Sequence, residues 1–104
     1  MNHAFLSLVF VDTNANCDLT RVLNLLVKKL QKISNQFEII VVESTLSEQR
    51  MDLLLEISKS GTMKNLTVLR LSSPPNFQIA AWAGLENSLG DYVCIFNPET
   101  DDID

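Results

Sequence analysis

The chain has few of the residues that mark many small binding and catalytic sites. Its 104 residues include three glycines, three prolines, two cysteines and one histidine. It contains neither G-x-G-x-x-G nor G-x-x-x-x-G-K-[ST], which excludes the glycine-rich phosphate loops of dinucleotide-binding domains and P-loop enzymes. The one histidine, His3, stands near the N-terminus, so a histidine-based catalytic triad or zinc site is not expected.

The two cysteines, Cys17 and Cys94, lack the spacing of a metal site. Cys94 lies in an apolar, strand-like stretch and is predicted to be a buried free thiol, because free cysteines behave as small apolar residues. A chain without disulfides suits a reducing compartment, which predicts a cytoplasmic location.

Long apolar runs and excess basic charge are also missing. No stretch approaches the roughly 20 apolar residues of a membrane-spanning helix, and no basic region precedes the short apolar run in MNHAFLSLVFVD, so neither a membrane segment nor a secretory signal is predicted. The net charge of -5 argues against nucleic-acid binding, which needs a basic surface. Four of the thirteen acidic residues occupy the last six positions. The negative charge is therefore concentrated at the C-terminus.

What the chain does contain is a regular alternation of strand-like and helix-like segments. Short, β-rich apolar runs predict strands at 4–11, 37–42, 66–71 and 92–96. Residues spaced three and four apart predict helices between them, the first capped by Asp18 and the second by Ser47. The order predicts one α/β domain, a Rossmann-like βαβαβαβ three-layer sandwich with a mostly parallel sheet and helices on both faces.

Each predicted helix has one face that is expected to pack on the sheet. These faces carry Leu19, Val22, Leu23, Leu26, Leu30 and Ile33 in the first helix, Met51, Leu54, Leu55 and Ser58 in the second, and Ile79, Ala80, Ala83 and Leu89 in the third. Gly61 and Gly90 are expected to end the second and third helices.

The polar residues that follow the predicted strands form the candidate site. Ligands of such sheets bind beyond the carboxyl ends of the strands, near the point where the strand order reverses. Asp12 and Asn14, Glu43 and the segment 97–104 stand at these ends. Converging carboxylates can hold Mg²⁺ or Mn²⁺, which can neutralise a diphosphate leaving group, and a carboxylate after the second strand can instead bind ribose hydroxyls. Helix capping and loop solvation are common roles for acidic residues after strands and stay open as the alternative for the same residues.

Four segments resemble a known family: LSLVFVDTNANCDLTRVLNLL, FEIIVVEST, NLTVLRL and AAWAGLENSLGDYVCIFNPETDD. Their order is similar to the nucleotide-sugar-binding first half of the inverting family 2 glycosyltransferases, which have the GT-A fold. The resemblance covers essentially the whole chain and is most specific in A-G-L-x-x-S-x-G-D-Y, residues 83–92, since the family has a similar helix end before its metal-binding D-x-D motif. It implies that residues 1–104 form a single GT-A-like domain that is truncated before the second half of that fold.

The resemblance also assigns roles by position. The implied nucleotide-sugar contacts are Asp12, Thr13, Asn14, Glu43 and Ser44. The D-x-D motif falls on Asn97-Pro98-Glu99, so the implied ligands of Mg²⁺ or Mn²⁺ are Asn97, Glu99 and, after a small register shift, Asp101. Asn97 replaces a carboxylate of that motif, and we expect weaker metal binding for that reason.

The function implied by the resemblance is inverting transfer of a sugar from a nucleotide-diphospho-sugar to a hydroxyl acceptor, in the synthesis of polysaccharide or a related glycan. The family's catalytic base lies in the second half of its fold, so no catalytic residue is assigned and the chain alone is expected to be inactive. One alternative is a non-catalytic, degenerate GT-A-like module for association or scaffolding. A weaker alternative is a flavodoxin-like regulatory domain. Such a domain needs a lysine late in the chain, whereas no lysine follows Lys64. Uncovered apolar edges also predict self-association as a homo-oligomer.

Overall fold

Strands and helices alternate as the sequence predicts. The computed structural model describes residues 5–12, 18–43, 48–60, 66–70 and 77–97. The strands are β1 (Leu6–Asp12), β2 (Phe37–Glu43), β3 (Leu66–Arg70) and β4 (Tyr92–Phe96), and the helices are α1 (Leu19–Ile33), α2 (Glu48–Ser60) and α3 (Phe77–Glu86). The α/β fold class is confirmed. Among these helices none is long and apolar enough to cross a membrane.

The four strands form one parallel sheet in the order β3-β2-β1-β4. The pairing of β1 with β2 runs from Leu6 opposite Phe37 to Asp12 opposite Glu43. From β1 the chain moves outward to β2 and β3 and then returns to the other side of β1 as β4. The strand order therefore reverses between β1 and β4. Six of the seven residues in both β1 and β2 are buried, which explains why these strands are almost continuous apolar runs.

Helices cover both faces of the sheet, so the structure has three layers. On one face α1 and α2 pack against a core made of Leu8, Phe10, Leu19, Val22, Leu23, Leu26, Leu30, Ile39, Val41, Leu54 and Phe96. On the other face α3 packs against a smaller core made of Val9, Val11, Ile40, Val42, Ala80 and Ala81. The small side chains of α3 let this helix lie close to the sheet. At Gly84 a Cβ atom would stand 2.3 Å from Val9 Cγ1.

Helix α1 follows its predicted pattern closely. The Asp18 side chain caps it by accepting a hydrogen bond from the backbone N–H of Arg21 at 3.3 Å. Five of the six residues predicted to pack on the sheet are buried. The sixth, Ile33, is 53% exposed, so its prediction was wrong. It is the last residue of α1, where Ser34 ends the helix by donating its N–H to the carbonyl of Leu30.

The predicted faces of α2 and α3 were partly wrong. In α2, Leu54 is buried, but Leu55 and Ser58 are exposed. The inner face carries Arg50, Leu53, Leu54 and Ile57, which are spaced three and four apart on one side of the helix. In α3, Ala80 is buried, whereas Ile79 and Leu89 are exposed. Leu89 and Gly90 lie beyond the helix, which ends at Glu86, so Gly90 does not end it. Ser47 and Gly61 lie outside the described residues.

The prediction of a buried Cys94 was also wrong, because this residue is a free cysteine that is exposed. It lies in a strand, as predicted. Strand β4 is the outermost strand of the described sheet, and four of its five residues are exposed or partly exposed on an incompletely covered surface. An apolar run alone does not distinguish such a strand from a central one.

At the amino edge of the sheet, hydrogen bonds join β1, β2 and the segment before β4. Ser7 Oγ donates to Glu38 Oε2 at 2.5 Å, and the N–H of Leu89 donates to the same oxygen at 2.7 Å. The N–H of Gly90 donates to Ser7 Oγ at 2.8 Å. We call Ser7, Glu38, Leu89 and Gly90 the amino-edge cluster. A Cβ at Gly90 would stand 2.5 Å from Ser7 Oγ and 2.7 Å from the Ser7 nitrogen, so glycine is required here by close approach.

The amino-edge cluster gives part of the A-G-L-x-x-S-x-G-D-Y segment a structural role. Gly84 allows α3 to approach Val9, and Gly90 approaches Ser7. The N–H of Phe5 donates to Asp91 Oδ2 at 3.0 Å. These contacts lie along α3 and at the end of the sheet opposite to the candidate site. Within this segment, Gly84 therefore positions α3 on the sheet, whereas Gly90 and Asp91 position the start of β4.

Replacing Glu38 with alanine is expected to lower the free energy of unfolding by about 1–2 kcal/mol, because the N–H of Leu89 and the hydroxyl of Ser7 would lose a buried acceptor. Glu38→Gln is the matched variant, since one amide oxygen can still accept both hydrogen bonds. Urea unfolding of both variants checks this expectation. Equal losses in the two variants would contradict it.

Candidate functional site

Two carboxylates meet at the carboxyl edge of the sheet. Asp12 ends β1, Glu43 ends β2, and the two residues are directly paired in the parallel register. Glu43 is paired in turn with Arg70 at the end of β3. Side chains alternate along a strand, so these three residues share the face on which Phe10, Val41 and Val68 pack. Helix α2 covers this face. Asp12 and Glu43 are both fully buried.

Asp12 is held by Arg50 from the first turn of α2. Arg50 Nη2 donates to Asp12 Oδ1 at 2.5 Å, and Arg50 Nε donates to Asp12 Oδ2 at 3.2 Å. This two-point contact matches the planar guanidinium to the carboxylate. Arg50 is itself buried. It therefore serves as the counter-charge that a buried carboxylate requires.

Glu43 is neutralised from the next strand. Arg70 Nε lies 3.4 Å from Glu43 Oε2, and Arg70 Nη2 donates to Glu48 Oε1 at 2.8 Å. The Glu48 hydrogen bond is the main reason why the pKa of Arg70 is raised. We call Asp12, Arg50, Glu43, Arg70 and Glu48 the carboxyl-edge network. Its three carboxylates and two guanidinium groups carry one net negative charge when all are ionised.

Burial dominates the titration of Asp12. Loss of hydration raises the pKa of this carboxyl above its ordinary value of 3.8, the hydrogen bond and charge of Arg50 lower it, and the neighbouring charge of Glu43 raises it further. Raised carboxyl pKa values occur at functional sites and in structural ion-pair networks alike. The raised pKa of Asp12 by itself therefore does not distinguish a functional role from a structural one.

The structure brings Asp12 and Glu43 together, as the strand-end argument predicts. Asn97 directly follows β4 and is partly buried. Phe96 before it pairs with Phe10, two residues before Asp12. The other predicted site residues lie outside the described residues, namely Thr13, Asn14, Ser44, Glu99 and Asp101. Within the ranges that are described, no three His, Cys, Asp or Glu side chains form a metal-binding group. The metal prediction depends on residues beyond those ranges.

Sequence reasoning missed the two arginines. Arg70 carries a charge at the end of a mostly apolar strand, and Arg50 precedes Leu54 by four residues on the inner face of α2. A charge on an apolar face is the signal that could have found them, because such a group needs a partner of opposite charge. The acidic residues on their own predicted a cation site. In the structure, the two arginines balance most of the negative charge of these carboxylates.

The chain matches no model of a known protein family, and the comparison with curated proteins found no match either.

Proposed function

We propose that this chain is the nucleotide-diphospho-sugar-binding part of a family 2-like glycosyltransferase domain. The observation that carries the proposal is the reversal of strand order between β1 and β4. Parallel α/β sheets bind ligands at the carboxyl side of such a reversal. Asp12 ends β1, and Asn97 follows β4 directly. The resemblance assigns nucleotide-sugar and metal contacts to the residues at and after these two strand ends.

In this proposal the main role of Asp12 and Glu43 is to hold the two arginines in place at the carboxyl edge of the sheet. Both carboxylates are fully buried and contact Arg50 and Arg70. A bare pair of carboxylates would repel a diphosphate, whereas the balanced network leaves little net charge against it. Arg70 is the more accessible arginine, with 29% of its side chain exposed. A nucleoside contact by Glu43 itself requires Arg70 to move.

A bound Mg²⁺ or Mn²⁺ would supply the positive charge that neutralises the diphosphate leaving group. Asn97, Glu99 and Asp101 would hold it, and all three side chains offer oxygen atoms, which these ions prefer. The amide of Asn97 contributes an oxygen without a charge. The proposed reaction of the complete enzyme is inverting transfer to a hydroxyl acceptor. No base is assigned to this chain, so the proposal for it is limited to donor binding. A cytoplasmic location is proposed with it, since Cys94 is a free thiol.

The test is a calorimetric titration of the chain with UDP-sugars and GDP-sugars, with and without Mn²⁺. Binding that depends on Mn²⁺ is expected for at least one donor class, and Glu99→Ala is expected to weaken it at least about tenfold, since one anionic ligand is lost. Glu86→Ala is the matched control, because it removes an equal charge from an exposed position at the far end of α3. No binding at millimolar donor, or equal weakening in both variants, would contradict the proposal.

A second candidate is a non-catalytic association module. The observation that favours it is the carboxyl-edge network, in which both predicted acidic contacts are already paired with arginines. Such pairing is sufficient to attach α2 to the sheet without any ligand. The same titration separates the candidates, since the module is expected to show no change in heat or in thermal unfolding with donor and Mn²⁺.

A further inference from the structure

We draw no further inference here: the strongest candidate, the groove on the outer side of α2 that Asp52, Leu55 and Glu56 line, is an exposed surface for which nothing in the structure shows what covers it.

Discussion

Replacing Arg50 with methionine is expected to lower the free energy of unfolding at pH 7 by about 3–5 kcal/mol, the usual cost of removing one partner of a buried ion pair. Methionine retains the apolar stem but removes the guanidinium group that contacts both carboxylate oxygens of Asp12. Asp12 is fully buried and would lose the side-chain partner from α2. The double variant Asp12→Asn, Arg50→Met is expected to regain a large part of the loss, because no buried charge remains.

The effect should depend on pH. Burial already raises the pKa of Asp12 in the folded chain above 3.8, so the stability linked to its protonation is fully present below the unfolded pKa and is lost as pH rises through the folded pKa. Removing Arg50 removes two influences that lower this pKa, and the folded pKa should rise further. The destabilisation should therefore be largest near pH 7 and smaller at a more acidic pH, where Asp12 is closer to accepting a proton.

Urea unfolding at the two pH values checks this prediction. Arg21→Met, at an exposed position of α1, is the matched control and should change the free energy by no more than about 0.5 kcal/mol. A loss in Arg50→Met below about 1 kcal/mol at pH 7 would mean that the ion pair contributes no more than an exposed one. A loss that is the same at both pH values would contradict the role assigned to the charge of Asp12.

Replacing Gly84 with alanine is expected to destabilise the chain by about 2–3 kcal/mol, in the upper part of the range for overpacked cores. Helix propensity alone would favour alanine by about 1 kcal/mol. The added Cβ, however, would stand 2.3 Å from Val9 Cγ1 and 3.2 Å from Val42 Cγ2. Val9 and Val42 are both fully buried in the central strands, so α3 must move away from the sheet.

A double-mutant cycle separates the clash from other effects. Val9→Ala removes the atom nearest to the new Cβ, so Gly84→Ala in a Val9→Ala background should be much less destabilising than in the unaltered chain. Gln78→Ala, at an exposed position of the same helix, controls for helix propensity. Additive effects of Gly84→Ala and Val9→Ala would refute the close approach of α3 to β1.

The element order was readable because local patterns are strong where burial is complete. β1 and β2 are central strands covered on both faces, so nearly every residue is apolar. Helix α1 has a wide apolar stripe and an acidic cap at Asp18. The same patterns could not orient α2, whose inner face includes Arg50 beside Leu54. They could not show that Cys94 is exposed either, because β4 is as apolar as a buried strand.

The candidate site was predictable in position and less so in chemistry. Asp12 and Glu43 follow apolar runs, and parallel strands bring their carboxyl ends to one edge, so their proximity follows from the fold class. Their partners come from α2 and β3, 38 residues from Asp12 in the case of Arg50. No local pattern links residues at that separation. A carboxylate in a sequence looks the same whether it will meet a metal ion or an arginine.

By itself, then, the sequence determined the α/β class, the strands, the course of α1 and the edge at which acidic residues gather, because each depends on the period and burial of neighbouring residues. The tertiary structure decided which face of α2 turns inward, that Asp12 and Glu43 are balanced by Arg50 and Arg70, and that Cys94 is exposed in β4. These features depend on which segments meet across the sheet. Contacts between segments that are distant in the chain are determined by packing and by the need of buried charges for partners.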